Sequence, residues 1–200
     1  MPRLYLDYNA STPIAPQVLE AMMPYLTVKF GNPSSSHSFG VECRAGVEQA
    51  RERVAAVLEP CRNLEKFRYN VTYLPVDGKG LVNPADLEKA ITPETALVSI
   101  MHANNEVGTI QDIAALSKVA AERGVLFHTD AAQSVGKVRC RTDELGIDFL
   151  TVAGHKFYAP KGVGALYIRQ GKKVPPLMLG AGHERGFSPG SENVASIVGL

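Results

Sequence analysis

The stretch Asp148–Gly164, DFLTVAGHKFYAPKGVG, joins a short apolar run to a lysine, and the rest of the chain is interpreted around it. The run Phe149–Ala153 is typical of a short buried strand, and it stops at Gly154. Lys156 follows at once, so its amine begins close to the apolar interior. Burial disfavours the charged form of a lysine, and a neutral amine attacks carbonyls and forms Schiff bases. Taken alone, the stretch also fits an ordinary surface lysine at a strand end.

Strands and helices alternate along the chain on both sides of this stretch. Runs rich in β-branched and aromatic residues predict strands at Tyr69–Val76, Thr95–Met101, Val125–His128, Phe149–Ala153 and Ala165–Arg169. Periodic apolar residues and capping residues predict helices at Pro16–Leu26, at His37–Leu58, after Asn83 and Pro84, and from Asp112 to Gly124. This alternation predicts an α/β fold with a largely parallel sheet.

Composition excludes several classes of function. The chain has 200 residues, 45% of them hydrophobic, and its net charge of +1 comes without a run of one sign. We therefore expect no nucleic-acid partner and no membrane association. Three widely spaced cysteines (Cys43, Cys61 and Cys140) form neither a disulfide framework nor a metal-binding pair, and the N-terminus lacks a signal-peptide core. These features predict a cytoplasmic protein.

Polar side chains follow three of the predicted strands at the points where those strands end. They are Asn105 after Thr95–Met101, Asp130 and Gln133 after Val125–His128, and His155 and Lys156 after Phe149–Ala153. Ligands of open α/β sheets bind beyond the carboxyl ends of the strands. If the strands are parallel neighbours, these five residues meet in one cleft.

An amine, a carboxylate and neutral amides suit pyridoxal 5'-phosphate (PLP). That cofactor needs a lysine for its aldehyde, an acid at its ring nitrogen and hydrogen bonds to its ring hydroxyl. Lys156, Asp130 and Gln133 fit those three tasks. Each residue type also has a simpler explanation, since Asp130 could cap a helix and amide side chains often belong to turns.

A metal site is the alternative chemistry. His128 and Asp130 are two residues apart and share one face of a strand, and His102 and His155 follow neighbouring strands. A metallohydrolase would leave Lys156 without a task. His128 and His155 also fit buried structural histidines that simply satisfy their hydrogen bonds.

Six segments together resemble the PLP-dependent cysteine desulfurases of the NifS and IscS type, in the class V aminotransferase family. The segments are LDYNASTP, GNPSSSHSFG, SIMHANNEVGTIQDI, FHTDAAQSVGK, AGHKFYAPKGVGALYIR and GAGHERGFSPGSENVASIVGL. Selenocysteine lyases share most of them. The resemblance implies the PLP-dependent transferase fold, aminotransferase fold type I, in an incomplete form.

The resemblance also implies a domain division. Residues 1–13 would be the N-terminal segment of the small domain, and residues 14–200 the PLP-binding large domain. The family carries several dozen further residues between Leu58 and Glu59, so we expect an internal deletion there. Its C-terminal domain would lie beyond Leu200.

Roles for individual residues follow from the resemblance. It implies a Schiff-base lysine, a partner of the pyridine nitrogen, two residues at the ring hydroxyl and its surroundings, and one on the phosphate side. These would be Lys156, Asp130, the pair Gln133 and Asn105, and His155. Ser191 would reach the phosphate of the neighbouring subunit in a homodimer with shared sites.

The implied reaction removes sulfur from L-cysteine, leaving L-alanine and an enzyme-bound persulfide for iron–sulfur cluster or thio-cofactor assembly. A sulfur acceptor or an iron–sulfur scaffold protein would be the partner. None of the three cysteines matches the family's sulfur carrier. Two alternatives stay open, namely a selenocysteine lyase and a catalytically inactive remnant or binding module of the same family.

Overall fold

The computed structural model of the chain describes residues 13–29, 38–39, 64, 69–176 and 178–200. Within these residues, four strands form one sheet in the order β1-β2-β3-β4. They are β1 Leu97–Met101, β2 Leu126–Asp130, β3 Phe149–Ala153 and β4 Gly164–Ile168.

The first three strands are parallel, and their register fixes which residues end side by side. Met101 of β1 pairs with Asp130 of β2, which in turn pairs with Thr151 of β3. β4 runs antiparallel to β3, because Gly154 donates to the Val163 carbonyl at one end and Arg169 donates to the Asp148 carbonyl at the other. The sheet is therefore mostly parallel, as the alternation of elements predicts.

The described part of the chain forms five α-helices, of which the third and fourth connect the parallel strands. In chain order they are α1 Pro16–Thr27, α2 Pro84–Ala90, α3 Ile113–Glu122, α4 Thr142–Leu145 and α5 Val194–Val198. The side chain of Asn83 accepts from the Ala85 amide at the start of α2. Asp112 accepts from the Ala115 amide at the start of α3. Gly146 ends α4 in the left-handed conformation that glycine adopts without strain.

The described residues belong to two compact units. The sheet unit comprises Val54–Ala153 and Leu166–Arg169, and the helical unit comprises Met1–Arg53, Gly154–Ala165 and Gln170–Leu200. In the sheet unit, α3 contacts β2, α2 and α4. The core at this contact is fully buried and apolar, and it includes Leu116, Ala120, Phe127, Ile147 and Val152.

In the helical unit, α1 packs on α5. Gly199 makes this contact possible, because a Cβ there would lie 2.6 Å from the Met22 sulfur and 3.1 Å from Val18. The start of α1 is tied to the loop after β3 by a 3.1 Å hydrogen bond from the Ala15 amide to the Tyr158 carbonyl.

The strand predicted at Tyr69–Val76 is wrong. These residues form no regular secondary structure, and Tyr73 is 64% exposed. A strand requires a neighbouring strand to bond to, which the apolar pattern of one segment does not supply. Most of the helix predicted at His37–Leu58 lies outside the described residues, and the division at residue 13 stays a prediction. In the described part of the chain, no helix is both long enough and apolar enough to cross a bilayer.

Candidate functional site

Asp130 ends β2 and is held on both sides by backbone hydrogen bonds. The His102 amide donates to the Asp130 carbonyl at 2.8 Å, and the next amide, that of Ala131, donates to the Thr151 carbonyl at 2.6 Å. One carboxylate oxygen of Asp130 accepts from the Ala132 amide at 2.9 Å. The carboxylate thus starts the turn that follows the strand, and the parallel register keeps it at the carboxyl edge of the sheet.

Gln133 and Asn105 occupy the turns that follow β2 and β1, and both are half-buried. The Gln133 carbonyl oxygen accepts from the Lys137 ammonium at 3.1 Å. The Asn105 amide donates to the Glu106 carboxylate at 2.6 Å. Both amide side chains follow the ends of strands in the sheet unit, and Asp130 is the last residue of one of those strands.

A hydrogen-bonded row crosses three strands next to Asp130. His128 Nδ1 lies 2.8 Å from the Ser99 hydroxyl on β1, and His128 Nε2 lies 2.6 Å from the Thr151 hydroxyl on β3. His128 shares its face of β2 with Asp130, because strand side chains alternate. Burial, which leaves His128 3% exposed, lowers its pKa to about 4, so the ring is neutral at neutral pH.

This row counts against the metal alternative at His128, because hydroxyl groups bond both ring nitrogens. Among the residues that the structure describes, no group of three histidine, cysteine or acidic side chains could hold a metal ion. His102 instead faces the Cys140 sulfur, 3.6 Å from its Nδ1. Burial raises the pKa of the Cys140 thiol to about 11, which makes it a poor nucleophile at neutral pH.

His155 and Lys156 lie in the helical unit, in the 3₁₀ helix Gly154–Lys156 that follows β3 directly. Gly154 begins this turn, and its carbonyl accepts from the Phe157 amide at 3.0 Å. Both of these predicted site residues are half-buried. Burial and the neighbouring positive charges of Lys156 and Lys161 lower the pKa of His155, which favours the neutral imidazole.

Ser191 also belongs to the helical unit, and it is exposed just before α5. The next residue, Glu192, accepts from the Glu184 amide at 3.3 Å and lies 2.9 Å from His183 Nδ1. Burial alone would raise the pKa of Glu192, but hydrogen bonds from backbone amides and from His183 outweigh it and lower the pKa. This buried pair fixes the loop that carries Ser191. Its members are nine residues apart with no local pattern between them, so sequence reasoning missed it.

The structure thus brings Asp130 and Thr151 into register and sets Gln133 and Asn105 in turns at strand ends of the same unit. His155, Lys156 and Ser191 belong to the other unit, so the predicted common cleft stays a prediction. A groove of about 340 Å³ in the sheet unit, lined by residues between 75 and 86, contains none of the predicted site residues.

Known proteins resemble the chain over nearly its whole length. The sequence model of the aminotransferase class-V family matches residues 4–60 and 55–200. The cysteine desulfurase IscS of Dictyoglomus turgidum is 46% identical over 243 residues, covering 98% of this chain and 62% of the relative. That alignment is longer than the chain itself, so the relative has residues within the matched stretch that this chain lacks.

Two solved structures share the fold. "SspA in complex with cysteine" is 35% identical with a TM-score of 0.91, and the match covers 98% of this chain and 71% of that one. A "NifS-like protein" is also 35% identical, with a TM-score of 0.92 and coverage of 99% and 67%. The chain spans about three fifths of the length of the curated relatives it matches. The chain therefore belongs to the aminotransferase class-V family and groups with its NifS- and IscS-type cysteine desulfurases.

Proposed function

We propose that this chain is the PLP-binding part of a cysteine desulfurase that acts on L-cysteine. The observation that carries the proposal is the register of the parallel strands, which makes Asp130 the last residue of β2, opposite Met101 and Thr151. A carboxylate fixed at that edge suits the ring nitrogen of a pyridine cofactor. Relatives named cysteine desulfurase and the SspA structure with cysteine support the substrate.

The chemistry of the residues present fits PLP. A carboxylate, two amides and a half-buried amine are available from Asp130, Gln133, Asn105 and Lys156. When bound, PLP supplies a ring that accepts electrons from the substrate carbon. With PLP bound, Asp130 would keep a proton at the ring nitrogen, and the two amides would orient the ring through its hydroxyl. Lys156 would supply the amine for the cofactor aldehyde and would move the substrate α-proton.

His155 and Ser191 would act on the phosphate side of PLP. His155 is neutral near pH 7 because its pKa is lowered, so it forms hydrogen bonds without adding a second positive charge beside Lys156. In a homodimer, the exposed hydroxyl of Ser191 would bind the PLP phosphate of a second copy of the chain. Exposed apolar side chains on and near α1, including Leu19, Met23 and Leu26, support a homodimer.

The reaction breaks the Cβ–Sγ bond of cysteine. The sulfur passes to a thiol acceptor, and the carbon takes up a proton to give L-alanine. Cys140 is a half-buried neutral thiol, so we do not assign it as the acceptor. The acceptor is another thiol or an iron–sulfur scaffold protein, as the IscS names of the relatives suggest. A free thiol at Cys140 also fits the reducing cytoplasm.

The test is to incubate the protein with PLP, L-cysteine and dithiothreitol, whose thiols accept the sulfur and release sulfide. We expect alanine and sulfide in equal amounts, and no product from Lys156→Ala. Lys161→Ala, an exposed lysine of the same loop, is the matched control and should retain turnover. Tight PLP binding without alanine would contradict the enzyme and support a binding module. Equal turnover by Lys156→Ala would contradict the role of Lys156.

A further inference from the structure

The turn that carries Asn105 is closed by its own hydrogen bonds. It comprises residues 103–110 and is called the Asn105 turn below. An antiparallel bridge joins its two ends, and the Asn104 amide donates to the Thr109 carbonyl at 2.9 Å. The Asn104 side chain accepts from the Glu106 amide at 2.9 Å. The turn is therefore held together by its own hydrogen bonds, so we expect it to move as a whole.

Gln111 attaches the Asn105 turn to residues 80–82 of the sheet unit. Its side-chain amide donates to the Gly80 carbonyl at 2.7 Å. Its side-chain oxygen accepts from the Val82 amide at 2.9 Å. Its own backbone amide donates to the His102 carbonyl at 2.8 Å. One side chain thus bonds a backbone acceptor and a backbone donor about 30 residues away.

The segment that bonds the Gln111 side chain, residues 77–82, is itself held in place by hydrogen bonds. The Asp77 carboxylate accepts from the Lys79 and Leu81 amides, both at 2.8 Å. These two amides lower the pKa of the exposed Asp77 carboxyl. Gly80 has a positive φ of 78°, and a Cβ there would lie 3.1 Å from the Thr109 hydroxyl, which bonds the Lys79 carbonyl. The segment at residues 77–82 therefore packs closely against the Asn105 turn, and its backbone is held in place by the hydrogen bonds to Asp77.

We propose that Gln111 is a positioning residue that sets the location of Asn105 in the candidate PLP site. Gln111 does not bond Asn105 and acts through the turn. Glutamine suits the task because an uncharged amide donates and accepts at once, whereas glutamate lacks the donor. The inference rests on the proposed function only for the role of Asn105, and the attachment itself is testable in the protein without cofactor.

The first test is amide hydrogen exchange in the protein without PLP. Gln111→Met keeps a similar length and removes both side-chain bonds. We expect exchange of the Val82 and Gln111 amides, whose hydrogen bonds join the turn to the rest of the sheet unit, to become about tenfold faster, with the β2 amides unchanged. Gln170→Met, at an exposed glutamine, is the matched control and should change neither. Unchanged exchange of the Val82 and Gln111 amides would overturn the proposal.

The second test asks whether Gln111 acts through Asn105. PLP affinity is measured for Gln111→Met, Asn105→Ala and the double variant. We expect Gln111→Met to weaken PLP binding about tenfold when Asn105 is present, and less than about twofold when it is alanine. Equal losses in both backgrounds would overturn the positioning role. If the unsubstituted protein does not bind PLP, the proposed function fails, and the exchange test still decides whether Gln111 fixes the turn.

Discussion

Asp130 carries the prediction most specific to the proposed chemistry. In Asp130→Asn the remaining side-chain oxygen can still accept from the Ala132 amide, so the fold should persist. An amide does not hold a proton at the ring nitrogen, so exchange of the α-proton of the product L-alanine should slow on the order of 100-fold. The measurement is deuterium incorporation into L-alanine by the PLP-loaded protein, followed by NMR.

Asp112→Asn is the matched control for that substitution. Asp112 caps α3 through the Ala115 amide, and asparagine caps helices equally well. The control should exchange the α-proton at the unsubstituted rate. Equal exchange rates in Asp130→Asn and Asp112→Asn would contradict the role of Asp130.

Gly154 places the 3₁₀ helix of Lys156 where only a hydrogen fits. A Cβ there would lie 2.7 Å from a Leu200 methyl, 3.0 Å from the Val163 carbonyl and 3.1 Å from the Ala159 side chain. We expect Gly154→Ala to lower the free energy of unfolding by about 1–3 kcal/mol through overpacking. Urea denaturation measures this change. Gly182→Ala, where a Cβ meets nothing within 4 Å, should change it by less than about 0.5 kcal/mol, and equal losses would contradict the packing argument.

The hydrogen-bonded row Ser99–His128–Thr151 links three strands, and it predicts that the free energy of unfolding depends on pH. An unfolded His128 binds a proton near pH 6.5, whereas the folded one binds it only near pH 4. Between those values the unfolded state holds more protons, so the free energy of unfolding falls as the pH falls. The full loss is roughly 3 kcal/mol, complete below pH 4 and absent above about pH 6.5.

His128→Asn isolates this contribution, because asparagine does not titrate. The pKa of His102 is also lowered by burial, so the difference between the unsubstituted protein and the variant is the quantity to measure. Urea denaturation from pH 4 to pH 7.5 should show a shallower pH slope in the variant. Identical slopes in both proteins would contradict a buried neutral His128.

Elements defined by neighbouring residues could be predicted from the sequence. Asn83 with Pro84 and Asp112 mark helix starts through bonds that span two or three residues, so local chemistry determines them. Tyr69–Val76 has a strand-like composition, but it finds no partner among the described strands. Pairing depends on the whole sheet, and the pattern of one segment does not encode it.

Contacts between segments that are far apart in the sequence are the features that could not be predicted from it. The position of Asp130 at the sheet edge could be predicted, since the carboxyl ends of the three parallel strands lie at the same edge of the sheet. Gln111 was missed because its partners, Gly80 and Val82, are bound through the backbone about 30 residues away. His128 fits the simpler reading of a satisfied structural histidine, which its sequence position alone could not distinguish from a ligand.

The Lys156 amine is the group that we propose holds PLP. The most direct measurement is borohydride reduction of the PLP-loaded protein, followed by peptide mapping with mass spectrometry. We expect one modified peptide per chain, with the label on Lys156. A label spread over exposed lysines such as Lys172 and Lys173, or the same label in Lys156→Ala, would contradict it.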